Sequence, residues 1–426
     1  MNPIVSRLTD ARRELHEGLV NGILPFWQSR GIDRDIGGYF SHVDGDGGLV
    51  DPEQDKYVVT QARLAWAFGA LATAAPNPDH YLGLARHGIE FLAEHFLDKQ
   101  HGGWRWRVSR SGAPVDSAKL VFGQTFVLYA MAAYARATDD ALATQLASDT
   151  FDLLQRVAAD TVHGGYYENF DATWRLADAG HAGGDRKTLD IHLHVLEAFT
   201  ELVRLTSDAT HARRLREVRT IITSRCVDSA TGAGGMQYTL DFRPTPPIVL
   251  DRTWIAERPA ARELPTPPAG ITSYGHNLEL AWLLAEADLA LDEPGASRDV
   301  IAGLATHALE RGYDAQHGGV WREGIANGAV TDRDKEFWQN SEALPGFLEG
   351  YLTTHDKAFL EAFLATWAFA QRHLVHPEFG EWRIRATESG EPVVTDLGNH
   401  WKNAYHTGRA ALESIRRIDR ILAEIA

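Results

Sequence analysis

The sequence has a single cysteine, Cys226, so neither an intramolecular disulfide nor a cysteine-based zinc centre is open to it. Positive charge is scarce as well: 42 Lys and Arg stand against 58 Asp and Glu, a formal net charge of −16. That balance removes the basic footprint needed to hold nucleic acid or an anionic membrane surface. No apolar run approaches the roughly 18 residues of a membrane-spanning helix, and the N-terminal segment has no apolar signal core. A soluble cytoplasmic protein is the expectation. Nucleotide and metalloprotease motifs are missing too, with no Gly-x-Gly-x-x-Gly opening a helix, no phosphate-binding loop and no His-Glu-x-x-His. What is present is 44% hydrophobic residues over 426 positions, enough for a large core, and 12 Trp with 19 His to build a site for neutral, hydroxyl-rich ligands.

The main organising feature is a repeat. A Gly-Gly or Gly-Glu pair followed by an aromatic or apolar residue recurs six times: IGGYFSHVDGDGGLV from Ile36, HGGWRWRVSRSGAPV from His101, HGGYYENFDATWRL from His163, AGGMQYTLDF from Ala233, HGGVWREGIANGAV from His317 and FGEWRIRATESGEPV from Phe379. Marked by Gly37, Gly102, Gly164, Gly234, Gly318 and Gly380, the intervals are 65, 62, 70, 84 and 62 residues. Glycine reaches positive φ without a Cβ clash, so each pair reads as a turn, and the alternation behind it as a short β-hairpin. An amphipathic helical stretch precedes each pair, and a helix apolar nearly all round follows the hairpin, as in FVLYAMAAYA and LELAWLLAEADLAL. Six such units predict an all-α fold, an (α/α)6 barrel formed as one domain over residues 1–426, with the hairpins at one rim. An open solenoid would leave the all-round apolar helices exposed. The long interval is explained by residues 241–270, which hold seven of the seventeen prolines. Such a segment resists helix and central strand alike, and is read as a loop or lid over the site.

Equivalent positions in equivalent units lie around one rim, so polar residues at the start of each inner helix mark a candidate site. These are Arg63 and Gln124 in the first two units, Asp190, His192 and His194 in the third, and His276 with Glu279 in the fourth. The fifth adds Trp338, Gln339 and Glu342, and the sixth Lys402, His406 and Arg409. His192 and His194 lie about 200° apart on a helix, so His194 is chosen as the inward one and His192 as packing. His276 and Glu279 share a face, where the carboxylate would raise the imidazole and fix its tautomer. Zinc held by His194, His276 and His406 is disfavoured because cationic neighbours would repel it. Two imidazoles near neutrality suit proton transfer, removing a proton from one face of a carbon beside a carbonyl and returning it on the other, with Arg63 stabilising the enolate-like charge.

The segments QARLAWAF, HGGYYENFD, HLHVLEAF, SYGHNLELAWLL, FWQNSEAL and WKNAYHTGR, in that order between Ile23 and Glu413, resemble the N-acylglucosamine 2-epimerase superfamily, in particular its cellobiose 2-epimerase and mannose 2-epimerase branches. The resemblance implies inversion of C2 of an unmodified aldose through a cis-enediol(ate), after ring opening, with neither metal nor nucleotide as cofactor. It places the acid/base pair at His276 and His406, support at Arg63, His194 and Glu279, and sugar stacking at Phe337 and Trp338. Asp190, Phe122, Gln339, Glu342, Trp401, Lys402 and Arg409 complete the expected substrate contacts. The partner is a small sugar, not nucleic acid or membrane, and the chain is expected as a monomer or homodimer.

This chain departs from the cellobiose branch at Phe122-Gly123, at Asp190, at Phe337-Trp338 and in the Pro-rich segment. These departures point to the mannose–glucose pair over cellobiose. Cellobiose 2-epimerase and mannose–fructose isomerase are the alternatives. A glycoside hydrolase would need paired carboxylates.

Overall fold

The computed structural model describes residues 3–258, 261–263 and 265–425. Positions 259, 260 and 264 of the Pro-rich segment lie outside the described residues.

Among the described residues thirteen α-helices carry the architecture. In chain order they are α1 (Pro3–Gly18), α2 (Leu24–Arg30), α3 (Val58–Leu71), α4 (Pro78–Phe91), α5 (Val121–Thr138), α6 (Ala141–Val157), α7 (Leu189–Thr206), α8 (Ala209–Ile221), α9 (Tyr274–Ala290), α10 (Arg298–His307), α11 (Phe337–Thr354), α12 (Ala358–Phe369) and α13 (Ala404–Ile425). The six helices that follow the hairpins, α3, α5, α7, α9, α11 and α13, each pack on the next, and α13 closes the ring on α3. This is the (α/α)6 barrel. An inner helix meets neighbours on several sides, which is why Val121 to Ala135 of α5 are all buried. The outer helices bury one stripe only, as in α6 with Leu146, Ala147, Thr150, Phe151 and Leu154.

Local chemistry sets the inner-to-outer corners. Asp139 and Ser207 end α5 and α7 in the left-handed conformation at φ 56° and 52°. In each case the next residue, Asp140 or Asp208, caps the outer helix by accepting from its first backbone N–H groups. At the other end of the barrel the expected hairpins take part in larger sheets. The strand leading into an inner helix pairs with the hairpin of the following unit, so Lys56–Tyr57, Arg107–Val108 and Pro114–Asp116 form one antiparallel sheet. Residues 271–273, 323–325 and 330–332 repeat the pattern, as do 335–336, 385–386 and 392–394. The rim is thereby stitched from one unit to the next.

Two kinds of internal fastening recur at the turns, the first at five of them and the second at four. The fourth residue of the inner helix reaches back to the hairpin backbone: Gln61 to Tyr39, Gln124 to Trp104, His192 to Tyr166, Asn277 to Gly234 and Asn340 to Val320. The second glycine of the pair is required there. Gly38 has φ +68°, and a Cβ on it would lie 2.5 Å from Gln61 Oε1. The second fastening is a buried ion pair between the turn and the strand before the helix. Lys56–Asp33, Lys119–Asp98, Lys187–Asp160 and Lys335–Asp314 stand at 2.7 to 2.9 Å. Burial disfavours each of these aspartates as an anion, but the facing ammonium prevails and holds the carboxyls below their ordinary range.

Candidate active site

The hairpin end of the barrel opens into a cavity of about 420 Å3. Its wall includes Arg63, Phe122, Asp190, His194, His276, Glu279, Phe337, Trp338, Trp401 and His406. Two tiers of the inner helices build it. The sixth residue of each of the first five helices points to the barrel axis: Arg63, Phe126, His194, Glu279 and Glu342, with Tyr405 from α13 completing the tier. One turn closer to the mouth are Phe122, Asp190, Trp338 and Trp401.

His406 and His276 approach the cavity from different helices and both flank Trp338, with ring centroids 5.8 Å and 4.6 Å from it. His406 Nδ1 is bonded to Glu342 Oε1 at 2.7 Å, leaving Nε2 for the cavity. Burial, reinforced by the cationic Arg63 and Arg409, pushes this imidazole well below its ordinary value. It is therefore a neutral base. Burial, with Glu279 nearby and against the pull of Arg409, pushes the Glu342 carboxyl up to about 8. With Nδ1–H donating to Glu342, Nε2 carries the free lone pair and faces the cavity.

His194 is the opposite case. Its Nδ1 is 2.9 Å from Glu197 and its Nε2 3.3 Å from Asp190. Burial opposes protonation, but these two carboxylates outweigh it and raise the imidazole to about 9. With both nitrogens committed, His194 is a fixed positive charge and not a shuttle. Asp190 also lies 3.5 Å from His276 Nε2, and its side chain keeps 37% of its surface open. Burial works against its ionisation, and His194 and His276 more than reverse that.

Among the described residues Arg63 has no carboxylate partner: its guanidinium rests on Phe126 and Tyr405, at 4.2 and 4.7 Å from the ring centroids, and donates one bond to the Trp401 carbonyl. Its remaining N–H groups are available to an oxyanion in the cavity.

Several expected contacts lie elsewhere. Gln124 serves the hairpin fastening, and Gln339 donates to Ser273 and the Arg322 carbonyl. Arg409 is not placed to bind hydroxyls. It is 1% exposed, and its guanidinium is ringed by Glu197, Glu279 and Glu342 from three helices. Glu342 stands behind His406, fully buried, bonded also to Trp282 Nε1. Glu279 reaches the cavity wall, but its ion pair is with Arg409, and the carboxylate beside His276 is Asp190. Lys402 has its ammonium 2.9 Å from Glu381, which occupies the second-glycine position of the sixth turn. It is that unit's version of the Lys–Asp fastening: Lys402 stands two residues before α13, as the other four lysines stand before their helices, and the acceptor has moved from the turn aspartate to Glu381.

The cluster of Glu279, Glu342 and His406, whose ligating atoms lie within 4.8 Å of one another, has the spacing of a cation site. Arg409 supplies the cation there.

The residues not anticipated are Glu197, Tyr405 and Phe126 in the floor, and Trp254, Glu257, Arg258, Glu336 and His400 in the upper wall. Glu197 was within reach of a helical reading, three residues after His194. The upper wall was not, because Trp254 to Arg258 belong to the aperiodic Pro-rich segment.

The barrel gathers imidazoles, a carboxylate-bound imidazolium and, among the described residues, an arginine without a carboxylate partner around an aromatic-walled cavity, an arrangement suited to proton transfer. The sequence profile of the N-acylglucosamine 2-epimerase family matches residues 38–410, and the chain belongs to that family. It is 28% identical over 411 residues to the cellobiose 2-epimerase of Bacteroides fragilis, covering 94% of this chain and 98% of the relative. It is 24% identical over 395 residues to the D-mannose isomerase of Marinomonas mediterranea, covering 90% and 92%. The solved cellobiose 2-epimerase of Spirochaeta thermophila superposes with a TM-score of 0.83 at 32% identity over 99% of this chain and all of that one. The chain is an isomerase-class enzyme, an epimerase of sugars. Among the described residues no helix is long and apolar enough to cross a membrane.

Proposed function

We propose that the enzyme inverts C2 of an unmodified aldose, interconverting mannose and glucose, with His276 and His406 as the acid/base pair. The observation that carries this reading is the gathering of these two rings, from the fourth and sixth units, against Trp338 in one cavity. With the open-chain aldehyde bound, neutral His406 removes the C2 proton. The electron pair moves into a C1–C2 double bond, and the carbonyl oxygen becomes an oxyanion facing Arg63. His276, held by Asp190, returns a proton to the opposite face of C2 and the carbonyl re-forms. In the reverse direction the two imidazoles exchange roles. His194, Asp190 and Glu279 position these groups, and Phe122, Phe337, Trp338 and Trp401 give the apolar faces of the sugar a surface to lie on.

The relatives leave two other outcomes on the same intermediate. Protonation at C1 in place of C2 gives a ketose, and a β-1,4-linked disaccharide is the alternative substrate. Incubation of mannose in D2O, followed by NMR, separates them. Glucose carrying deuterium at C2 is the expected product. Fructose as the main product, or turnover of cellobiose well above that of mannose, would overturn the assignment.

A further inference from the structure

The Pro-rich segment does more than line the cavity: it crosses the mouth. Val249 and Asp251 are bonded to His181 of the third unit, and Arg252 is 2.8 Å from Asp116 of the second. Glu257 then reaches the sixth unit, bonding His400 Nε2 at 2.7 Å and Trp401 Nε1 at 2.9 Å, while Arg258 pairs with Glu336 of the fifth. Between these anchors Trp254 stacks against Arg258 and Arg322, at 4.1 and 5.2 Å from ring centroid to guanidinium. His400 is itself fixed, stacked on Tyr57 at 4.1 Å. Four of the six units therefore tie down one short stretch of chain above the histidines.

The chemistry of an aldose gives this placement a consequence. C1 and C2 must reach Arg63, His276 and His406 in the lower cavity, so the rest of the sugar chain, with any group on O4, is directed to the mouth. We propose that residues 249–258 are a strap that sets substrate length: latched through Glu257 and Arg258, it admits one sugar unit and excludes an aldose extended at O4. This inference rests on the assignment of the site to a sugar 2-epimerase and names the residues that decide which sugar enters.

The test compares wild type with the double variant Glu257→Ala/Arg258→Ala and with a chain in which residues 249–258 are replaced by a short Gly-Ser linker. For each, kcat/KM is measured on mannose and on cellobiose, and binding of glucose and cellobiose is measured by calorimetry. Circular dichroism establishes that each variant is folded. Release of the strap is expected to raise the cellobiose-to-mannose ratio of kcat/KM by about tenfold or more, through better binding of the disaccharide. Equal use of both sugars by wild type would overturn the proposal. So would an unchanged ratio in two folded variants. If wild type epimerises neither sugar, the catalytic assignment fails on its own. Calorimetry then still decides the strap, which stands if wild type binds glucose but not cellobiose and the variants bind both.

Discussion

Helix α13 carries two buried arginines eight residues apart, or about 12 Å along the helix. Arg409 is surrounded by Glu197, Glu279 and Glu342, and Arg417 by Glu286, Glu349 and Glu413. Both are 1% exposed. In charge and burial the two clusters are near duplicates, yet only one adjoins the proposed active site. The carboxylates around Arg409 have second partners: Glu197 holds His194 and Glu342 holds His406, and both histidines reach a cavity. Those around Arg417 are tied to Arg204 and Arg416 instead. A buried charge network thus organises a site only where it terminates in titratable groups that a ligand can touch. Elsewhere the same arrangement joins helices.

The sharpest way to break this contrast is at its terminus. His406→Ala removes the base from the upper cluster and should lower kcat by about 10²- to 10⁴-fold with only a small change in thermal midpoint. Retention of more than a tenth of wild-type kcat would contradict the proposed role. Next come the arginines. Replacing either with Leu strands three carboxylates, a loss of about 3–5 kcal/mol in denaturant unfolding. Arg409→Leu should also abolish turnover, whereas Arg417→Leu should leave kcat of the folded enzyme within about twofold, because it lies two turns away from the cavity floor. Equal loss of activity in both would show that the two clusters act as one.

The pH response is a smaller effect. His194 is raised by its carboxylates, so its stabilising contribution is complete below about 6.5 and is lost as pH rises through about 9. Stability and kcat should both fall on that alkaline side, and His194→Gln should remove the step from the profile. A wild-type profile flat to pH 10 would rule out a cationic His194.

The smallest contrast lies in the scaffold. Gly38→Ala forces a side chain into positive φ against Gln61 and should cost about 1–3 kcal/mol. Gly83→Ala, inside α4 with open space around it, should stabilise by up to about 1 kcal/mol. The two thermal midpoints should move in opposite directions.

Much of this architecture was legible before any coordinates. Five Gly-Gly turns and one Gly-Glu turn, with amphipathic helices ahead of them and all-round apolar helices behind, specify paired layers, because an apolar helix must be covered on every side. Helical phase also separated His194 from His192, which the structure turns into the hairpin to accept the Tyr166 N–H. Phase does not report depth. Arg409, Gln339 and Glu342 share the same helix starts as the cavity residues, but each meets a partner from another unit before it meets the cavity. Lys402 lines the cavity, but its ammonium is held by Glu381, which sits 21 positions earlier, where the other five turns have glycine.

Residue order and periodicity were therefore enough for the ring, its inner and outer layers, and the end at which polar groups gather. These follow from local geometry repeated six times. Which polar groups face ligand, which hold one another, and how Glu257 and Arg258 come to close the mouth depended on contacts between residues scores to hundreds of positions apart. Such contacts follow from ring closure and from a strap without periodicity, and neither leaves a pattern along the chain.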